Sequence, residues 1–331
     1  MITGKGMYIW IVQRCGEPKA IAQAAKAGGL SHMLVKIADG PFVYYGANDW
    51  NDHSRDWSME LVHALQAVGI TVVGWQYVYG IQPEKEAEIA AQRIREGGIQ
   101  LFDIDAEKEY KADGMKPKAT AYCSRLKHLV PDVKLGLGTY RYPTYHATLP
   151  WAEFGQFMDF YMPQVYWAGA HNPVEQLGRC LREYAGLPYP NIPIYPTGAA
   201  YREFGWQPLS GEDTAFLTAA RDLYHLGAAN LWEWYDVKIV YPEFWDEISS
   251  FDYGSQPSVP QPPPSSVLPE YVLVNAPDGL NMRLTSSKTG QIVALLPNGR
   301  KLHVVGVQKD EDGKNRYQVY GYVASWLTKP L

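Results

Sequence analysis

Leu101-Phe102-Asp103-Ile104-Asp105-Ala106-Glu107 alternates carboxylates with apolar residues over seven positions. Successive side chains of a β-strand point to opposite faces, so as a strand this stretch aims Asp103, Asp105 and Glu107 one way and buries Phe102, Ile104 and Ala106. Acids crowded on one face repel one another. Crowding and burial raise carboxyl pKa values, so that one acid stays protonated at neutral pH beside an ionised neighbour. Hydrolysis of a glycosidic bond needs such a pair.

Seven further apolar runs surround this strand: Met7–Gln13, His32–Ala38, Thr71–Tyr79, Val133–Tyr140, Phe160–Trp167, Ile192–Gly198 and Asn230–Asp236. Between and after them lie helix-like patterns at Pro18–Ala27, Ser58–Val68, Pro83–Gly97, Pro117–Leu129, Trp151–Phe157, Pro173–Tyr184, Asp213–Leu226 and Pro242–Ser249. Eight strands alternating with eight helices predict an α/β fold, a (β/α)8 TIM barrel over residues 1–253. Active sites of such barrels sit at the C-terminal ends of the strands. Lys36, Trp75, Gln76, Tyr140, Gln164, Tyr166, Trp167, Trp232, Glu233, Trp234 and Asp236 all fall at those ends and are the expected substrate-binding set.

Alternatives stay open at several of these positions. Asp103, deepest on its strand, either joins the chemistry or tunes its neighbours. Lys36 either meets substrate or neutralises the acids from within the barrel, and Asp39 before Gly40 reads equally as a turn cap. Glu233 lies between Trp232 and Trp234, so strand alternation sends it opposite to both, and either the acid or the tryptophans line the barrel.

Gly-Ser-Gln-Pro-Ser-Val-Pro-Gln-Pro-Pro-Pro-Ser-Ser-Val at residues 254–267 is an extended, semi-rigid linker by its proline content. Beyond it, residues 268–331 read as short strands broken by turn signals at Asp278-Gly279, Pro297-Asn298-Gly299 and Asp312-Gly313.

Composition bounds the rest. The 331 residues are 46% hydrophobic and 20% charged, with a formal net charge of -5. That balance suits a large core and argues against nucleic-acid binding. Eleven Trp and 24 Tyr exceed what a core needs and suit the stacking of sugar faces. Cys15, Cys123 and Cys180 form no disulfide or metal pattern and read as buried thiols. The histidines show no metal-ligand spacing, no phosphate-binding glycine motif is present, and neither metal nor cofactor is expected. The first ten residues lack a basic stretch before a long apolar run, so neither a signal peptide nor a membrane segment is expected.

Phe102-Asp103-Ile104-Asp105-Ala106-Glu107 resembles the fourth-strand signature D-x-D-x-E of family 18 glycoside hydrolases, and Met162-Pro163-Gln164-Val165-Tyr166 resembles that family's sixth-strand element. Gln100 and Leu101 stand where that family has Asp-Gly. Val35-Lys36-Ile37-Ala38-Asp39-Gly40, the Asp105–Glu107 pair and Asp236 resemble family 25 lysozymes, although Met7–Gln13 lacks their first-strand acid. Asn281-Met282-Arg283-Leu284, Leu295 to Gly299, Gly321-Tyr322-Val323 and Trp326-Leu327 resemble bacterial SH3-like domains. These resemblances imply a chitinase- or lysozyme-like glycosidase with a small all-β SH3-like module. Glu107 would be the general acid. Asp105 would orient a 2-acetamido group that attacks the anomeric carbon, Tyr166 and Gln164 would hold that sugar, and a strand-eight tryptophan would floor it. The expected substrate is an N-acetylated glycan, peptidoglycan above all, with the C-terminal module binding cell-wall glycan or peptide. A monomeric lysin acting at the wall after release by lysis, as a phage-encoded one is, fits this set. The alternatives are a barrel that binds glycan without cleaving it and a chitinase-like enzyme on another polysaccharide.

Overall fold

The computed structural model describes residues 2–254 and, beyond them, 271–274, 280–283, 289, 292–304, 306–310, 312, 314–319, 321–324 and 328–330. The chain divides into two compact units, Met1–Gln261 and Pro262–Leu331.

Eight parallel strands build the first unit: β1 Gly4–Ile9, β2 His32–Asp39, β3 Thr71–Val78, β4 Leu101–Ala106, β5 Lys134–Tyr140, β6 Phe160–Val165, β7 Thr197–Ala199 and β8 Ala228–Trp232. Each pairs with its neighbours in chain order, and β1 pairs with both β2 and β8, so the sheet closes on itself. Helices fill the connections: α1 Pro18–Ala27, α2 Trp57–Ala67, α3 Pro83–Glu96, α4 Met115–Leu129, α5 Trp151–Gly155, α6 Pro173–Tyr184, α7 Glu212–Thr218 and α8 Glu243–Ser250. This is a (β/α)8 barrel. A two-residue strand, Phe42–Val43, folds back antiparallel on the end of β2.

Burial follows the pleat. Residues of one parity, such as Leu34, Val73, Trp75, Leu101 and Met162, form a cluster inside the barrel, while Met7, Val35, Phe102, Ile104 and Leu137 pack outward against the helices. Two glycines make the inner cluster possible. A Cβ on Gly136 would lie 1.9 Å from the Phe160 ring, and one on Gly138 would lie 2.6 Å from Asp103 Oδ2. The three cysteines are buried and unpaired.

The two ends of the barrel chain are fastened together. Lys5, on the outer face of β1, donates from Nζ to the carbonyls of Ile248, Ser249 and Phe251 at 2.6, 2.9 and 2.5 Å. Those carbonyls end α8, where a cation satisfies acceptors left over by the helix. Burial lowers the Lys5 pKa to about 8.

Three strands differ from expectation, among them β8, which covers Ala228–Trp232 in place of Asn230–Asp236. β1 begins at Gly4 and stops at Ile9, and Val12–Cys15 is a helical turn. β7 is confined to Thr197–Ala199, with Ile194 making only an isolated bridge to Tyr161. Pro193 and Pro196 carry no N–H for the ladder, which accounts for the shortened strand.

The second unit is antiparallel. Strands β9 Tyr271–Val274, β12 Lys301–His303 and β16 Thr328–Pro330 form a three-stranded sheet with β9 in the middle. β11 Ile292–Leu296, β10 Leu280–Arg283, β15 Gly321–Ala324, β14 Asn315–Val319 and β13 Gly306–Lys309 form a five-stranded sheet in that order. Val272, Val274, Leu280, Leu302 and Val304 make its core. The Pro297-Asn298-Gly299 turn is present, with Gly299 at φ 77°. Leu284, Trp326-Leu327 and the linker at 255–267 lie outside the described residues.

Candidate active site

Asp103 and Asp105 occupy the inward positions of β4, and Glu107 follows at its C-terminal end. Asp103 is 1% exposed and accepts a hydrogen bond from Tyr8 Oη at 2.7 Å. Its Oδ1 has no partner among the described residues. Burial lifts its pKa to about 7 against the pull of the Tyr8 hydrogen bond. Asp105 and Glu107 are joined by one amide. Gln164 Nε2 donates to Asp105 Oδ1 at 3.1 Å and to Glu107 Oε1 at 2.8 Å. Burial raises the Asp105 pKa far above the carboxylate range, and the charges of Glu107 and Asp103 raise it further, while Lys36 opposes them. Burial also raises Glu107, opposed by the Gln164 hydrogen bond. The titrations of Asp105 and Glu107 are thereby linked, since the charge on Glu107 raises Asp105 and one amide holds both.

Aromatic rings floor the site. Trp232, at the end of β8, lies 5.4 Å from the Tyr8 ring and 5.7 Å from Trp75. Lys36 pairs with Asp39, and its ammonium sits 5.0 Å from the Trp75 ring centroid. Asp39 also accepts from Tyr79 Oη at 2.8 Å, so it belongs to this polar group and is no mere turn cap. Tyr166 packs edge-on against Tyr201 at 5.4 Å, its pKa raised by burial and then by the charge of Asp105. Tyr140 stacks on His146 at 3.6 Å with Lys111 over its ring.

Three expected site residues are placed elsewhere. Gln76 is fully buried on the outer face of β3, donating to Gly40 O at 2.7 Å and accepting from Tyr122 Oη at 2.6 Å. It lies between the inward Trp75 and the mouth residue Tyr77, so strand alternation turns it toward the helices. Trp167 lies beyond the end of β6 and packs on Phe216 of α7, donating to Glu212 at 3.2 Å. Trp234 packs against Trp245 of α8. The strand ends at Trp232, so alternation no longer governs Glu233 and Trp234, and only Trp232 of the two tryptophans faces the barrel. The Trp232–Glu233 peptide is cis. Glu233 sits with Asp236 and Arg14 beside the turn after β1, 7% exposed, its pKa lifted to about 7 by burial and Asp236. Asp236 is raised by burial and lowered by Arg14.

Tyr8 was absent from the expected set. The only signal for it is its place on the inward parity of β1, which requires the strand to start at Gly4.

No protein-family model matches the chain, and no curated protein matches it. Solved structures do. Domain 2 of a Pyrococcus furiosus chitinase aligns with TM-score 0.54 and 14% identity over 70% of this chain and 83% of that one. The spore cortex-lytic enzyme SleL of Bacillus megaterium aligns with TM-score 0.54 and 10% identity over 75% and 74%. A family 39 glycoside hydrolase from Bacteroides cellulosilyticus aligns with TM-score 0.50 and 12% identity over 70% of this chain, which spans only 56% of its length. At these identities the likeness establishes the barrel fold.

Proposed function

We propose that the chain is a glycoside hydrolase acting on an N-acetylated glycan, with peptidoglycan the substrate favoured by its two-unit layout. The observation that carries the reading is the Asp103, Asp105 and Glu107 series, facing the open end of the barrel with Gln164 clasping the outer two carboxyls. The solved relatives that share the fold, a chitinase and a cortex-lytic enzyme among them, support it.

In this reading Glu107, its pKa raised by burial, gives its proton to the glycosidic oxygen as the bond from that oxygen to the anomeric carbon breaks. Asp105 stabilises the 2-acetamido group of the same sugar as its oxygen attacks the anomeric carbon, and water then displaces that oxygen from the carbon while Glu107 takes the water's proton, a substrate-assisted form of retention. Asp103, insulated beneath and tied to Tyr8, resists ionisation through its burial and adds its charge to the field on Asp105 only when it does ionise. Tyr166 and Gln164 hold the sugar over Trp232. The second unit, in its SH3-like reading, holds the protein on the wall.

Release of reducing ends from purified cell walls tests this, with Glu107→Gln as the comparison. Loss of a positioned general acid predicts a fall of roughly 10²–10⁴ in rate. Equal release by the two proteins would end the proposal.

A further inference from the structure

A second feature opens on the same face of the barrel. A cleft of about 670 Å³ lies over the ends of β1, β2 and β3, a volume ordinary for a ligand site. Trp10, Phe42, Tyr44, Trp50 and Tyr79 line it, with Asp39 at its polar edge. Trp10, Phe42 and Trp50 are 40%, 59% and 47% exposed, an aromatic surface left facing water. Single exposed apolar residues are ordinary, but several sharing one concave wall mark a binding surface.

The cleft continues into the acid site along two paths. Trp10 lies 6.3 Å from Trp232, which itself adjoins Tyr8 and through it Asp103. Tyr79 lies 5.0 Å from Tyr77, whose hydroxyl donates to Glu109 two residues beyond Glu107. Its one carboxylate, Asp39, is paired with Lys36, whose buried ammonium lies behind the Trp10 and Tyr44 rings. An anionic peptide would find no unpaired counter-charge there, whereas the apolar C–H faces of uncharged sugar rings suit aromatic walls.

We propose that this cleft binds the sugar rings that adjoin the one over Trp232, so that the chain grips its glycan across several residues and acts on polymer. The inference rests on the reading of the β4 acids as the hydrolytic centre and names where the rest of that substrate lies.

Calorimetric titration of full-length Glu107→Gln protein with oligomers of N-acetylglucosamine, two to six sugars long, tests it. The hexamer is expected to bind at least about tenfold more tightly than the dimer. Adding Phe42→Ala and Trp50→Ala should collapse that ratio toward one, and Trp50→Tyr in place of Trp50→Ala should keep most of it. Equal affinity for dimer and hexamer overturns the inference, as does a ratio that survives the alanine pair. Wild-type turnover of the hexamer is measured in parallel. Length-dependent binding without turnover sinks the hydrolase reading and leaves the cleft standing, while turnover without length dependence does the reverse.

Discussion

At the residue scale the site is a question of where protons reside. Asp103 is held near pKa 7 in the folded chain, against about 3.9 in an unfolded one. A carboxyl raised in this way binds a proton in the native state that the unfolded state has released. Its stabilising contribution is complete below the unfolded value and is lost as pH rises through about 7. Wild-type stability should therefore decline between pH 5 and pH 8, and Asp103→Asn should remove part of the slope, on the order of 1–2 kcal/mol over that interval. Urea unfolding at the two pH values measures it, and an unchanged slope would show that Asp103 does not hold the proton. Gln164 imposes a second condition. Both hydrogens of its amide are engaged by Asp105 and Glu107, so any incoming group that takes a hydrogen bond from that amide must displace one of them.

At the scale of elements, the loop between β3 and α3 is held by a single buried side chain. Glu86 accepts from the backbone N–H groups of Tyr79, Gly80, Ile81 and Gln82 at 2.9, 3.2, 3.0 and 3.2 Å. These N–H groups belong to the loop before the helix and would otherwise lack an acceptor. Glu86→Ala should cost about 2–4 kcal/mol, since several buried donors lose one acceptor together, and should speed amide exchange across residues 79–82. Unaltered exchange there would mean the loop is held by other contacts. The strands themselves were largely readable, because a parallel strand is covered on both faces and so appears as an apolar run. β4 was the plainest, its alternation of acid and apolar residues surviving intact in the fold. β1 was hidden by Gly4 and Gly6, which look like turn residues yet make room inside the barrel. Gln76 was misplaced although alternation around Trp75 and Tyr77 already turned it outward. The cleft was not legible at all. Trp10 follows β1 while Phe42 and Trp50 lie in the β2–α2 connection, and no spacing rule links them.

For the molecule as a whole, each unit has a hydrophobic core of its own among the described residues. A chain ending at Gly254 should turn over soluble oligosaccharides at the full-length rate while its sedimentation with cell walls drops severalfold. Undiminished wall binding would mean that the barrel alone supplies attachment. The route by which the second unit is attached has a mechanical side. The segment toward it departs at Gly254, three residues beyond the last carbonyl gripped by Lys5. Behind Lys5 runs the β1–β8 pairing, the joint at which the cylinder was closed. Tension arriving from an anchored C-terminal unit would thus load the buried Tyr253, hydrogen-bonded to Leu226 O, and the Asp252 carbonyl held by Arg221 first, and then the Lys5 clasp and the seam of the barrel.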